Sequence, residues 1–212
     1  MRKNKGNTNN MDRDCRDKYQ TKSLSAIGEA SRRRIERNSH DADELEAQGY
    51  TVERGMHRNG AFFAVIGTTH KEHEKEVGRI FAENGFSFTL DREDVRIKLR
   101  TGEIITLPSV DGRVEGFTHE ISALNGQPDA RNVTDAIKHS RKVSKRNRKI
   151  VVQADVVITI AQNDSGFNKA IIKEGVDEYK RLVREGQTSA KPIIYLHVNE
   201  TTRTIYYWNI KQ

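Results

Sequence analysis

The spacing of apolar residues predicts alternating helices and strands after a polar beginning. Between residues 70 and 84 the apolar positions Val77, Ile80 and Phe81 follow a helical period, and Gly85 ends the pattern. Residues 151–160 are almost continuously apolar, which is typical of a strand covered on both faces. The other predicted helices are residues 23–37, 41–48, 132 or 134 to about 145, and 167–184. The other predicted strands are residues 50–54, 61–66, 86–90, 96–100, 104–108, a strand that ends at 111, 117–124, 192–198 and 203–210.

The order of these elements predicts an α/β fold. From residue 70 onward the chain reads helix, three or four strands, helix and strand, followed by a C-terminal helix and hairpin. Residues 1–22 are rich in Asn, Arg and Lys with almost no apolar side chain, which predicts disorder. We therefore expect a basic, partly disordered and partly helical extension over residues 1–49, and an α/β domain over residues 50–212.

Positive charge is concentrated in two segments of the chain. The net charge is +7, residues 1–37 hold 11 Lys/Arg against 5 Asp/Glu, and residues 131–149 hold 8 against 1. The rest of the chain is therefore net acidic. Two basic segments on an acidic body indicate surfaces that meet a polyanion such as RNA or DNA, with solvated basic helices as the alternative.

The chain has no sequence signal for export or membrane insertion. No apolar run approaches the roughly 20 residues that cross a bilayer, and the first residues lack the apolar core of a secretory signal. One cysteine, Cys15, excludes an internal disulfide. We expect a cytoplasmic protein without a membrane partner.

Two acids in the middle of the chain suggest a metal site. If residues 117–124 are extended, Glu120 and Ser122 share one face, and His119 lies on the other. Asp111 ends the preceding predicted strand. Two carboxylates on neighbouring strands can hold a Mg²⁺ or Mn²⁺ that serves phosphodiester hydrolysis. An ordinary hairpin with solvated acids is the alternative.

The basic helix predicted after this hairpin would bring cations to the acids. A helix that directly follows the Glu120 strand is expected to pack on the same sheet, with Lys138 on its basic edge. We expect the residues that contact nucleic acid to be polar or basic members of the two positive segments. They are Thr134, Arg141, Lys142, Lys145, Arg146, Arg148, Arg32, Arg33 and Arg34.

Other catalytic motifs are weak or missing. There is no glycine-rich nucleotide loop, no Gly-x-Ser-x-Gly elbow and no Cys/His zinc pattern. His70 and His73 are more typical of solvated residues near a helix start than of a metal site. His119 is expected to pack or to lie at the surface, although a metal-independent RNase would use it as general acid or base.

The element order and the acids resemble a known nuclease family. Helix, three strands, helix and strand, with Asp111 before Glu120, resemble the PD-(D/E)xK nuclease core. More narrowly, Glu74 near the start of a helix that ends at Gly85, and Gly116 between the two acids, resemble the nuclease toxin domains of contact-dependent inhibition proteins. The resemblance covers residues 70–208.

This resemblance implies a toxin-like endonuclease that cleaves RNA, above all transfer RNA, or DNA. It implies Mg²⁺ or Mn²⁺ held by Asp111, Glu120 and Glu74, and a cognate inhibitor protein as a partner. The family lysine two residues after the glutamate is Ser122 here, so Lys138 is expected to supply the positive charge. Without such a cation, the domain would be a degenerate nuclease that binds nucleic acid without cutting it.

Overall fold

A computed structural model describes residues 11–54, 58–92, 94–98, 100–143, 151–161, 166–188 and 194–210. The fold is mixed α/β, with an eight-stranded sheet and, within these residues, four α-helices. The helices are α1 (Met11–Ala47), α2 (Glu72–Glu83), α3 (Ala130–His139) and α4 (Lys169–Arg184). The strands are β1 (Thr51–Glu53), β2 (Phe63–Val65), β3 (Phe88–Leu90), β4 (Asp94–Lys98), β5 (Ile104–Pro108), β6 (Gly112–Val114), β7 (Phe117–Leu124), β8 (Arg141–Val143), β9 (Val151–Gln153), β10 (Val156–Ala161), β11 (Ile194–Asn199) and β12 (Thr204–Asn209).

The large sheet has the strand order β1-β2-β3-β6-β7-β10-β11-β12. Strands β3, β6 and β7 form an antiparallel meander, and β7, β10 and β11 run parallel to one another. Helix α3 connects β7 to the chain leading into β10, and α4 connects β10 to β11, as parallel strands require. Two hairpins, β4–β5 and β8–β9, lie outside this sheet.

Helices lie on both faces of the large sheet. On one face, α2 buries Val77 and Phe81 against Phe88 of β3 and Ile158 of β10. On the other face, α3 and α4 cover β10 and β11, and the end of α1 covers β2. The part of that face contributed by β6 and the start of β7 therefore lies between α1 and α3. Within the described residues, no helix is long and apolar enough to cross a membrane.

Helix α1 differs from the sequence prediction. The structure has one helix where two were predicted, and residues 11–22 are helical, so the prediction of disorder there is wrong. Residues 1–10 lie outside the described residues. Tertiary contacts explain why α1 continues through residues 38–40, where the sequence predicted a break between two helices. Asn38 is buried and donates through Nδ2 to the carbonyl of Asn59 at 3.0 Å, and Ala42 and Leu45 pack against Phe62.

Helix α3 is shorter than predicted. It starts after Asp129, whose side chain accepts a hydrogen bond from the backbone of Arg131, and it ends at His139 and not near residue 145. The chain then forms β8, which pairs with β9. Arg141 and Lys142 are consequently in a strand. Sequence periodicity missed this because the pairing joins segments about ten residues apart.

The remaining elements follow the predictions closely, with two corrections. Strand β7 has the predicted bounds, whereas the predicted strand 151–160 is divided into β9 and β10. Asp111 does not end a strand, because β5 ends at Pro108 and Asp111 directly precedes β6. A two-residue turn of Glu115 and Gly116, with φ of 48° and 84°, joins β6 to β7.

Candidate active site

Hydrogen bonds join Asp111 to the residues on either side of Glu120 in β7. The tight turn sets the pairing of Val114 with Phe117 and of Gly112 with His119, and Asp111 directly precedes these paired residues of β6. The backbone N–H of Asp111 donates to the carbonyl of His119 at 3.0 Å, and Oδ2 of Asp111 accepts from the backbone N–H of Ile121 at 2.6 Å. Both acids are about nine-tenths buried.

Gly112 permits the close approach of β6 to its neighbours. A Cβ at this position would lie 1.9 Å from the carbonyl oxygen of Thr89 and 2.9 Å from Nε2 of His119. Any larger residue would push β6 away from β3 and β7. Glycine next to Asp111 therefore maintains the spacing of β6 from β3 and β7.

The chemistry of this pair suits a divalent cation. Where two carboxylates lie close together in a largely buried place they repel one another, and a bound cation offsets that repulsion. Mg²⁺ and Mn²⁺ prefer oxygen ligands, and Mg²⁺ is commonly held by one or two carboxylates while it keeps several waters. The donor set of Asp111 and Glu120 fits such an ion.

Glu74 lies at the start of α2, where one carboxylate oxygen has a structural role. Oε2 of Glu74 accepts from the backbone N–H of Lys71 at 2.8 Å and lies 3.7 Å from Nδ1 of His70. His70 donates through Nε2 to the carbonyl of Ile66 at 3.2 Å, which ties the start of α2 to the end of β2. This capping arrangement explains why Glu74 is buried.

Glu74 does not complete a three-ligand group with the two acids in this structure. Among the described residues, ligand atoms of three such side chains lie within 4.8 Å of one another at one place, His40, Asp41 and Glu44. All three are exposed on α1.

Lys138 and Thr134 face α4. Nζ of Lys138 lies 3.4 Å from Oδ1 of Asp135, and Lys138 lines a groove between α3 and α4 that also contains Glu178. Thr134 is buried, with Oγ1 3.0 Å from the carbonyl oxygen of Gly175 in α4. Thr134 therefore holds the two helices together and is not accessible to a nucleic acid.

The three arginines predicted on α1 have different environments. Arg32 and Arg33 are exposed and pair with Glu36 and Glu29 one turn away. Arg34 is partly buried and donates to the carbonyl of Gly85 at 2.9 Å and to Glu115 at 3.1 Å. Arg34 thus attaches α1 to the end of α2 and to the β6–β7 turn.

The other basic residues predicted to contact nucleic acid lie in or after β8. Arg141 and Lys142 belong to β8, three or four positions beyond Lys138. Lys145, Arg146 and Arg148 lie outside the described residues.

His119 is a packing residue. It is fully buried, stacks on Phe88 with ring centroids 4.3 Å apart, and donates through Nε2 to the carbonyl of Thr89 at 3.0 Å. Burial lowers the pKa of His119 to about 4, and the nearby Asp111 carboxylate opposes this shift only partly. The imidazole faces away from Glu120, as the alternation of β7 predicted.

Sequence reasoning missed Asp91 and Arg113. The backbone N–H of Asp91 donates to the carbonyl of Asp111 at 2.8 Å, so Asp91 lies directly beside Asp111. The Asp91 carboxylate accepts from Nε of Arg113 at 3.0 Å and from the hydroxyl of Tyr50 at 2.9 Å. The available signal was an acid directly after the predicted strand 86–90.

Comparison with known proteins gives no relative for this chain. No family model matches it, and neither a curated protein nor a solved structure matches it. The functional proposal therefore depends on the geometry of the Asp111–Glu120 pair.

Proposed function

We propose that this protein is a metal-dependent endonuclease with a restriction-endonuclease-like core formed by α2, β3, β6, β7, α3 and β10. The observation that carries the proposal is that Asp111 is hydrogen-bonded to the residues on either side of Glu120 in β7, and that both acids are largely buried. The parallel pairing of β7 with β10, connected through α3, supports the same core. The substrate class is RNA, with transfer RNA favoured by the resemblance, or DNA.

The chain's own residues would hold and orient the ion and the phosphate. Asp111 and Glu120 would supply carboxylate oxygens, and the N–H of Ile121 orients the carboxylate of Asp111. A bound Mg²⁺ or Mn²⁺ supplies an activated water and neutralises charge that develops on the phosphate. Arg141 and Lys142 of β8 add positive charge after α3.

Cleavage assays with single substitutions test the proposal. The full chain is incubated with mixed transfer RNA or plasmid DNA, with Mg²⁺ or Mn²⁺ and with a chelator. We expect cleavage that chelation stops, and a loss of about 100-fold or more in Asp111→Asn and Glu120→Gln, because each removes an anionic metal ligand. Glu174→Gln, an exposed position on α4, is the matched control and should cut normally. Wild-type cleavage by Glu120→Gln would refute the metal site.

A second candidate is a nucleic-acid-binding protein that does not cut. Ser122 in place of the family lysine, and Lys138 turned towards α4, favour it. It predicts binding of transfer RNA or DNA without cleavage under every metal condition. A metal-independent RNase that uses His119 is disfavoured, because His119 is fully buried and a low pKa keeps it neutral.

The resemblance to toxin domains also suggests a cognate inhibitor protein. Such a partner would be acidic where it meets Arg141 and Lys142. Co-purification with a protein that blocks cleavage would identify it.

A further inference from the structure

A cleft of about 280 Å³ lies between the second half of β7 and α3. Its lining includes Ser122, Asn132, Asp135, Ala136 and His139. Ser122 follows Glu120 by two residues on the same face of β7, so their Cα atoms are about 7 Å apart. One end of the cleft therefore lies two residues beyond Glu120 along β7.

His139 contributes an imidazole to the lining of this cleft, and imidazole is the most common general base in enzymes. Its Nδ1 lies 2.8 Å from the carbonyl oxygen of Asp135, one turn earlier in α3. A carbonyl oxygen only accepts hydrogen bonds, so Nδ1 carries the hydrogen. In the neutral ring the lone pair is consequently on Nε2, and the exposed imidazole can present it to a water in the cleft.

The neighbouring Lys138 is directed elsewhere. Successive residues of an α-helix are rotated by about 100°, so Lys138 and His139 leave α3 in different directions. Lys138 pairs with Asp135 and lines the groove towards α4, whereas His139 shares the cleft with Ser122.

We propose that His139 is the general base of the phosphodiester hydrolysis, a role that rests on the proposed nuclease function. Nε2 takes a proton from the attacking water while the water oxygen forms its bond to phosphorus. The bond from phosphorus to the leaving sugar oxygen breaks, and that oxygen takes a proton from solvent. The imidazolium then returns its proton to solvent, so the net change is the addition of one water across the bond.

The test compares His139→Gln and His139→Ala with wild type on whichever of mixed transfer RNA or plasmid DNA the wild type cuts. His40→Gln, an exposed histidine on α1, is the matched control. We expect kcat/KM to fall about 100-fold in both His139 variants and to be unchanged in His40→Gln. Any rise of the wild-type kcat/KM with pH that comes from a general base should disappear in His139→Gln. Added imidazole should restore part of the activity of His139→Ala.

Two results would separate failure of this inference from failure of the nuclease proposal. A His139→Gln variant with the wild-type rate and pH profile, alongside an inactive Glu120→Gln, would overturn the role of His139 and leave the nuclease standing. A wild-type chain that never cuts would overturn both. The ¹⁵N spectrum of the imidazole needs no turnover, and a neutral His139 protonated on Nε2 would also refute the assignment.

Discussion

At the residue scale, backbone hydrogen bonds hold the acid pair in place. Asp111 receives the N–H of Ile121 on its carboxylate and gives its own N–H to His119, so its position is set by the β6–β7 pairing. The same strand directs His119 into the core on the opposite face, against Phe88. Strand β7 therefore contributes residues to both the candidate site and the core. A substitution of His119 is expected to affect the adjacent Glu120.

Buried histidines should make the fold sensitive to acid. The pKa of His119 is about 4 in the folded state, against about 6.5 in an unfolded chain, so the unfolded state binds more protons between these values. Stability is therefore complete above about pH 6.5 and falls as the pH drops towards 4. His197, whose pKa burial also lowers to about 4, acts in the same direction. Each should cost about 2 kcal/mol between pH 7 and pH 5.

Urea unfolding at these two pH values measures the effect. His119→Gln should be less stable than wild type at pH 7 but should lose about 2 kcal/mol less on acidification, since one of the two groups is gone. His40→Gln, an exposed control, should keep the wild-type pH dependence. An unchanged pH dependence in His119→Gln would contradict the assignment.

At the element scale, the β6–β7 hairpin and the attachment of α1 determine the shape of the site. The two-residue turn sets the register of the hairpin, and Gly112 sets its distance from β3. Arg34 joins α1 to this turn through Glu115. The wall of the site thus consists of elements that are separated in sequence and connected by a few polar contacts.

Gly112→Ala should be strongly destabilising. Its Cβ would overlap the carbonyl oxygen of Thr89, a backbone atom that cannot rotate away, so we expect a loss of about 3 kcal/mol or more. Gly116→Ala is the comparison, because a Cβ there meets no atom within 4 Å and only its positive φ is strained. It should cost about 1 kcal/mol. Denaturant midpoints measure both, and equal losses would contradict the close-approach argument.

Arg34→Ala should loosen α1. It removes the hydrogen bonds to the carbonyl of Gly85 and to Glu115, which we expect to stabilise docking by about 1–2 kcal/mol. Amide hydrogen exchange should therefore speed up in residues 31–47 of α1. Arg33→Ala, which removes an exposed arginine one position away, should leave exchange there unchanged. Equal exchange in both variants would mean that Arg34 does not hold the helix.

At the scale of the whole molecule, positive charge is concentrated in two segments of the sequence and the remainder is acidic. The basic segment of residues 131–149 follows Asp111 and Glu120 in the chain. The overall net charge of +7 does not reveal this uneven distribution of charge. A polyanion is therefore expected to approach from the side of α3 and β8.

Binding of transfer RNA should weaken steeply with salt, because basic side chains displace counterions from phosphates. Lys142→Gln should lower the slope of log K against log salt by about one. Lys169→Gln, an exposed lysine at the start of α4, should leave the slope unchanged. Salt-insensitive binding would contradict a nucleic-acid surface on this protein.

Local sequence patterns were enough to predict α2, β7 and α4 and the opposite facing of His119 and Glu120. These features depend on periods of two or 3.6 residues, which a short window contains. The acid pair itself could be proposed from sequence, because a turn signal lies between Asp111 and Glu120.

Only the tertiary structure decided where α3 ends, that α1 is continuous, and which basic side chain of α3 lines the cleft beside Ser122. Helix α3 ends where β8 pairs with β9, and α1 continues where Asn38 binds Asn59. Both contacts join different segments of the chain, so the periodicity of a single segment does not predict them. The choice between Lys138 and His139 depends on how α3 is rotated against α4, which Thr134 and Gly175 establish by packing. The sequence was therefore enough to predict Asp111, Glu120 and strand β7, whereas tertiary packing determined which side chains lie near them.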